Sequence, residues 1–226
     1  RLYRGEDYVL SVDSHMRFRE GWDDYLVARI LRCPDPRRAV ITAYPPGYEL
    51  PHGRAADARP TVLVPGGFDD SGVLRVRGRA LRNVPKLGPD GNDNVPVPLC
   101  AAGFNFCAGE CGKEVPYPEM PHLFFGEEAA YAAMLYTHGY DFFAPPRSVL
   151  YHLWSRKHRP NFRDIEVSPE EKAAREAQKI KSTKSARRLC AGEDPDGLLG
   201  TARSATEFAA AVGADFGRRT LRAGAA

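Results

Sequence analysis

The beginning of the chain alternates between short apolar runs and one amphipathic segment, and this alternation limits the possible folds more than any other feature. Residues 8–13 predict a strand, residues 20–33 predict a helix, and residues 39–44 predict a second, buried strand. The predicted helix carries its apolar side chains on one face: Trp22, Tyr25, Leu26, Ile30 and Cys33. Strands that alternate with helices are typical of a sheet covered by helices, so the pattern predicts an α/β fold.

Shorter elements follow in the middle of the chain. Residues 61–64 and 73–77 predict an antiparallel extension, and residues 99–106 and 149–156 predict further strands. The segment from 140 to 146 is expected to form a turn. A helix that begins near Glu127 and Glu128 and runs to about Thr137 would end at Gly139.

The last part of the chain has the composition of a helical tail. Ser168 and Pro169 give a cap and a first helical residue, and the charged segment to residue 189 predicts a solvated or partly disordered helix. A short helix capped by Ser204 or Thr206 should then dock through Phe208 and Phe216. We expect a core over residues 1–166 and a helical tail over residues 167–226.

An acidic residue and a histidine come directly after the first predicted strand. In Asp13-Ser14-His15, both metal-binding side chains would stand at the open end of that strand. Carboxylate oxygen and imidazole nitrogen suit manganese or magnesium, and manganese tolerates the nitrogen better. A strand-end turn with a solvated histidine would give the same triplet.

Further candidate site residues lie on other predicted elements. His152 stands in a predicted strand, where a histidine is either structural or a ligand. Adjacent acids at a helix start, such as Glu127 and Glu128, can be catalytic or can simply stabilise the helix dipole. Gly103 would allow the backbone to approach a ligand closely, or would serve a tight strand crossing.

Composition excludes several classes of protein. The 226 residues are 43% hydrophobic, which allows one sizeable core, and the net charge of +3 is not gathered into a block that interleaves aromatic and basic residues. We therefore expect no nucleic-acid binding, and no apolar run is long enough for a membrane span. The absence of an initiating Met suggests a piece of a longer chain.

The five cysteines form no disulfide-scaffold pattern, which favours free thiols and a reducing, cytoplasmic compartment. Cys100, Cys107 and Cys111 could form half of a zinc site, but no second ligand pair follows at the usual spacing.

Four ordered motifs together resemble one family. They are Asp-Ser-His-Met-Arg-Phe…Trp-Asp (13–23), Phe-Phe-Gly-Glu-Glu-Ala-Ala (124–130), Tyr-Thr-His-Gly-Tyr-Asp-Phe-Phe-Ala-Pro (136–145) and Tyr-His-Leu-Trp-Ser-Arg (151–156). The chain resembles, from residue 2 to about 216, the N-acetylglucosaminyltransferase family that includes the cytoplasmic enzyme acting on hydroxyproline of a ubiquitin-ligase adaptor.

This resemblance implies an α/β fold of the GT-A nucleotide-sugar transferase type, lacking its N-terminal βαβ part. It also implies a UDP-N-acetylglucosamine donor, a protein hydroxyl as acceptor, and Mn²⁺ or Mg²⁺ as cofactor. By the same resemblance, Asp13, His15 and His152 are metal ligands. Glu127 and Glu128 are the catalytic carboxylates, one of which would accept a hydrogen bond from a hydroxyl of the acceptor or of the donor sugar. The donor-binding residues are then expected to be Asp13, Ser14, Gly103 and Arg156, with Lys157 beside Arg156.

One alternative uses the same residues. Asp13, His15 and His152 could form the facial triad of a non-haem iron oxygenase, a class that folds as an all-β double sheet and usually presents His-x-Asp. A non-catalytic binding module is the other alternative. Metal-dependent binding of a nucleotide sugar would separate the transferase from both.

Overall fold

The computed structural model describes residues 3–51, 53–54, 59–81, 93–155, 164–194 and 196–225. The strands in these residues are β1 (Tyr8–Val12), β2 (Met16–Phe18), β3 (Ala39–Thr42), β4 (Tyr48–Glu49), β5 (Gly53–Arg54), β6 (Thr61–Phe68), β7 (Leu74–Ala80), β8 (Val95–Val97), β9 (Phe104–Ala108), β10 (Asp141–Ala144), β11 (Leu150–His152), β12 (Ala214–Asp215) and β13 (Thr220–Leu221). The helices are α1 (Trp22–Ile30), α2 (Cys111–Glu114), α3 (Glu127–Thr137), α4 (Pro169–Ala191) and α5 (Ala205–Val212), with a 3-10 turn at Pro36–Arg38.

Within the described residues, the central sheet has the strand order β1–β9–β3–β10–β8. Strand β9 is antiparallel to both β1 and β3, and β10 is parallel to β3. Strands β1, β3 and β10 therefore run in the same direction, and their carboxyl ends meet at one edge of the sheet. In open α/β sheets, ligands usually bind outside the carboxyl ends of the strands.

Helices cover both faces of this sheet, because its strands place apolar residues alternately on either side. On one face α1 packs through Leu26 and Ile30 against Ile41 of β3. On the other face α3 packs together with Val40 of β3 and Phe142 of β10. The α/β fold expected from the sequence is confirmed.

Helix α3 is enclosed between the sheet and helices α4 and α5. Its residues from Ala129 to Leu135 are all buried, which suits a helix that is apolar on every side. Helices α4 and α5 pack against it from outside. The Ser168 cap of α4 and the Ser204 capping box of α5 are both present, and Phe208 is fully buried and stacked on Phe216.

Two segments differ from the sequence predictions. The turn expected over residues 140–146 is wrong, because Asp141–Ala144 forms β10 and lies between β3 and β8 in the sheet. The strand expected from residue 99 begins only at Phe104, since the Ala101 N–H donates to the Thr42 hydroxyl instead of joining a strand ladder. The hairpin of β6 and β7 confirms the antiparallel extension.

Two predictions based on composition can also be checked. All five cysteines are free thiols, as expected. None of the described helices is both long enough and apolar enough to cross a lipid bilayer.

Candidate metal centre

Three potential metal ligands converge at the carboxyl edge of the sheet. Asp13 follows the last residue of β1, His15 lies two residues later, and His152 is the last residue of β11. One ligand atom from each lies within 4.8 Å of the others. Across the described part of the chain, this is the only group of three or more His, Cys, Asp or Glu residues that could hold a metal ion.

Backbone pairing places the two histidines side by side. Strands β2 and β11 are antiparallel, and Met16 is opposite His152. The Leu153 N–H donates to the His15 carbonyl at 3.2 Å, and the His152 N–H donates to the Pro46 carbonyl at 3.0 Å. The two imidazole rings are consequently 4.4 Å apart between centroids.

The state of the His152 ring fits a metal site. His152 is buried, and its Nε2 lies 3.1 Å from Asp13 Oδ2, although the angles are not those of a hydrogen bond. Neither ring nitrogen makes a hydrogen bond to another described residue. Because buried polar atoms nearly always have a partner, two ligand atoms that face each other in this way suit a shared cation.

Two neighbours shape this group of ligands. The Ser14 hydroxyl lies 3.1 Å from His15 Nδ1, a contact of the kind that orients metal-binding histidines. Gly103 lies directly against Asp13, because a Cβ atom at Gly103 would be 2.6 Å from Asp13 Oδ2 and 2.8 Å from Asp13 Cγ. The absence of a side chain at Gly103 therefore allows its backbone to lie close to the carboxylate of Asp13, a candidate metal ligand.

Glu128, in the first turn of α3, makes a hydrogen bond to the loop that contains Gly103. One of its carboxylate oxygens accepts the Ala102 N–H at 2.8 Å, and the other accepts the Tyr44 hydroxyl. Burial raises the pKa of Glu128, and the negative charge of Asp13 adds to this, whereas the two hydrogen bonds and Arg75 act in the opposite direction. Glu128 therefore links the start of α3 to the residue before Gly103.

The start of α3 depends on a glycine. Gly126 has φ 102°, and a Cβ atom there would lie 2.8 Å from the side chain of Val73. This geometry sets the direction in which Glu127 and Glu128 leave the first turn. Glu127 is partly buried beside Glu128. Burial raises the pKa of Tyr44 and of Tyr117, and the negative charge of Glu127 adds to this.

Two aromatic residues at the site were not recognised in the sequence. Tyr44 follows β3 at the same carboxyl edge as Asp13, so the parallel topology could have indicated it. Trp154 lies 4.0 Å from the His152 ring between centroids, and its Nε1 donates to the Pro45 carbonyl at 3.1 Å. Its side chain is still 51% exposed, so an indole face borders the candidate metal centre.

The expected donor-binding residue Arg156 and its neighbour Lys157 lie outside the described residues.

Glu128→Gln is expected to change the pH dependence of stability. Because the pKa of Glu128 in the folded protein lies above its ordinary value of 4.5, its contribution to stability is complete below pH 4.5 and is lost as pH rises through the folded pKa. Glutamine can keep both contacts, since the Tyr44 hydroxyl can accept from its amide. The variant should gain stability relative to the wild type as pH rises, by at most about 1.4 kcal/mol per pH unit.

Urea denaturation from pH 4 to pH 8 in a chelating buffer measures this difference. The exposed Glu110→Gln provides a control for the loss of one negative charge. A constant difference in unfolding free energy between Glu128→Gln and wild type across this range would contradict the raised pKa.

An α/β sheet with a candidate carboxylate–histidine metal site at its carboxyl edge is the architecture of the GT-A glycosyltransferase fold. The glycosyltransferase (GlcNAc) family model matches residues 1–222, and the chain belongs to this family. The fold is also similar to the crystal structure of GalNAc-T7 with UDP, GalNAc and Mn²⁺, at a TM-score of 0.52 and 16% identity. That match covers 90% of this chain and 38% of the GalNAc-T7 chain.

A comparison with curated protein sequences gave no significant match. The expectation of a GT-A glycosyltransferase is confirmed at the level of fold and family. The oxygenase alternative is wrong, because the described strands form a helix-covered α/β sheet instead of an all-β double sheet.

Proposed function

We propose that this chain forms the donor- and metal-binding part of a retaining glycosyltransferase. The reaction transfers N-acetylglucosamine from UDP-N-acetylglucosamine to a hydroxyl of a protein, on hydroxyproline, serine or threonine. The observation that carries the proposal is the convergence of Asp13, His15 and His152 at the carboxyl edge of the sheet. Family membership supports a GlcNAc donor.

The three converging side chains would hold Mn²⁺ or Mg²⁺. A divalent cation held there would supply positive charge beside the diphosphate, where negative charge grows as the glycosidic bond breaks. Asp13 would provide an anionic oxygen, and the two histidines would provide neutral nitrogen ligands. The GalNAc-T7 structure contains Mn²⁺, which favours manganese as the first ion to test.

The remaining residues of the site would position these ligands. Ser14 orients the ring of His15, and Gly103 leaves space for the carboxylate of Asp13. Glu128 holds the Ala102 N–H and so fixes the loop that carries Gly103. Its two oxygens are both engaged by this chain, so we assign it a positioning role, and the catalytic role expected for Glu127 stays a prediction.

The proposed transfer needs no strong protein base. The acceptor hydroxyl attacks the anomeric carbon on the face that the diphosphate leaves. A new carbon–oxygen bond forms, the bond to the phosphate oxygen breaks, and the acceptor proton moves to that departing oxygen. Both carboxylate oxygens of Glu128 already accept hydrogen bonds from this chain, which is consistent with this division of roles. A protein acceptor and a cytoplasmic location are part of the same proposal.

Isothermal titration of UDP, UDP-GlcNAc and UDP-GalNAc tests the donor assignment. Each ligand is added to the protein with manganese and then with a chelator. We expect metal-dependent binding of UDP and UDP-GlcNAc, with UDP-GalNAc binding more weakly. Absence of metal-dependent binding would contradict the proposed site and favour a non-catalytic binding module. Tighter binding of UDP-GalNAc would contradict the GlcNAc donor alone.

A further inference from the structure

Strand β7 carries a row of arginines that the proposed chemistry does not use. Arg75, Arg77 and Arg79 stand at alternate positions of the strand, so their side chains leave the same face. Arg77 and Arg79 are exposed, and Arg75 is partly exposed. We call these three residues the arginine row.

A β-bulge lies opposite the first of these arginines. The register of β6 and β7 shifts between Pro65 and Phe68, across Gly66 and Gly67. A Cβ atom at Gly66 would lie 3.2 Å from the Arg75 carbonyl oxygen and 3.2 Å from Arg77 Cβ, so a side chain at this position of the bulge would be crowded. Bulges near binding sites commonly redirect a side chain.

The guanidinium of Arg75 makes few polar contacts with other described residues. It lies over the Phe125 ring, 3.2 Å from the ring centroid, and its nearest carboxylate oxygen is Asp69 Oδ2 at 3.7 Å. Its buried Nε makes no hydrogen bond to another described residue. Arginine binds a carboxylate most strongly through two parallel hydrogen bonds. Arg75 makes no such paired contact with another described residue.

The arginine row begins near the start of α3, the helix that carries Glu128. Phe125, under Arg75, directly precedes Gly126, which packs against Val73 just before β7. The positive charge of Arg75 also acts on Glu128, the residue that fixes the loop beside Asp13. A chain lying along the arginine row would therefore have one end at the start of α3, next to the site.

We propose that the arginine row binds an acidic segment of the acceptor polypeptide and guides its hydroxyl toward the metal centre. This inference rests on the proposed function for the identity of the acceptor. Carboxylates are complementary to the row in charge and in hydrogen-bonding geometry. The guanidinium of Arg75 covers one face of the Phe125 ring, whereas single-stranded nucleic acids stack successive bases on several exposed aromatic rings.

Fluorescence anisotropy with labelled peptides tests the proposal without any transfer reaction. One peptide carries a hydroxyproline flanked by glutamates, and a second carries the same residue flanked by lysines. Both are titrated without donor at low and at high salt. At low salt, we expect only the acidic peptide to bind. The double variant Arg75→Glu/Arg77→Glu should raise the Kd of the acidic peptide roughly tenfold or more.

A matched double charge reversal, Arg37→Glu/Lys113→Glu, provides the control. These exposed residues lie just before β3 and just after β9, at the opposite edge of the sheet from the metal centre. We expect this variant to change the Kd by less than about twofold. If Arg75→Glu/Arg77→Glu unfolds in a thermal melt, Arg77→Ala replaces it, because Arg77 is exposed, and a raised Kd is still expected.

The proposal would be overturned by equal binding of the acidic and basic peptides, by an unchanged Kd in the Arg75 and Arg77 variants, or by an equal loss of binding in the control variant. Tighter binding of a single-stranded oligonucleotide than of the acidic peptide would also overturn it. Failure of donor binding in the titration with UDP-GlcNAc is a separate result, because the peptide assay contains neither metal nor nucleotide sugar.

Discussion

Asp13→Asn is expected to lower metal-dependent turnover of UDP-GlcNAc by about 100-fold or more while leaving the protein folded. Asparagine has nearly the same shape, but it removes the only anionic oxygen among the three converging ligands. Asp13 is exposed at the end of β1, so the fold does not depend on its charge. Activity assays with a manganese titration measure the effect, and circular dichroism checks the fold.

The control for this change is Asp24→Asn. Asp24 is an exposed acid in the first turn of α1, so the variant loses the same charge away from the three ligands. We expect its turnover to stay close to wild type. Turnover of Asp13→Asn at the wild-type level across the whole manganese titration would show that Asp13 does not bind the metal.

Gly103→Ala is expected to weaken manganese binding by roughly tenfold or more without unfolding the chain. The added methyl would occupy the space of the Asp13 carboxylate, with its carbon 2.6 Å from Oδ2. Because that carboxylate is the end of an exposed side chain, it can move aside, and so the fold survives while the ligand is displaced. Titration of manganese against the apo protein measures this change.

Gly112→Ala provides a matched control, since a Cβ atom at Gly112 meets nothing within 4 Å. The double variant Asp13→Asn/Gly103→Ala adds a second test. If Gly103 acts through Asp13, the double variant should bind manganese no more weakly than Asp13→Asn alone. Additive losses would instead indicate an independent role for Gly103.

The sequence predicted the layers of the fold better than the details of the sheet. The periodicity of α1 and the two flanking strands correctly indicated a helix-covered sheet. Strand β10 was missed because two prolines follow it, and its buried Phe142 and Phe143 face opposite layers. A strand buried on both sides has no polar alternation, so its pattern resembles a short apolar segment of any kind.

The candidate site was predictable only in part. Asp13 and His15 are neighbours in sequence, so any strand ending at residue 12 brings them together. The approach of His152 depends on the pairing of β2 with β11, which no local pattern specifies. The contacts of Glu128 with Tyr44 and Ala102 likewise join three elements that only the folded topology brings together.

The order of strands in the central sheet has a consequence for biosynthesis. Strand β1 is made before its sheet partner β9, and the third candidate metal ligand lies still later, in β11. Contacts between distant parts of a chain form late, because the intervening loop must close first. A nascent chain that does not yet include His152 therefore has no complete candidate metal centre. Under the proposed function, it binds a nucleotide sugar only after β11 has left the ribosome.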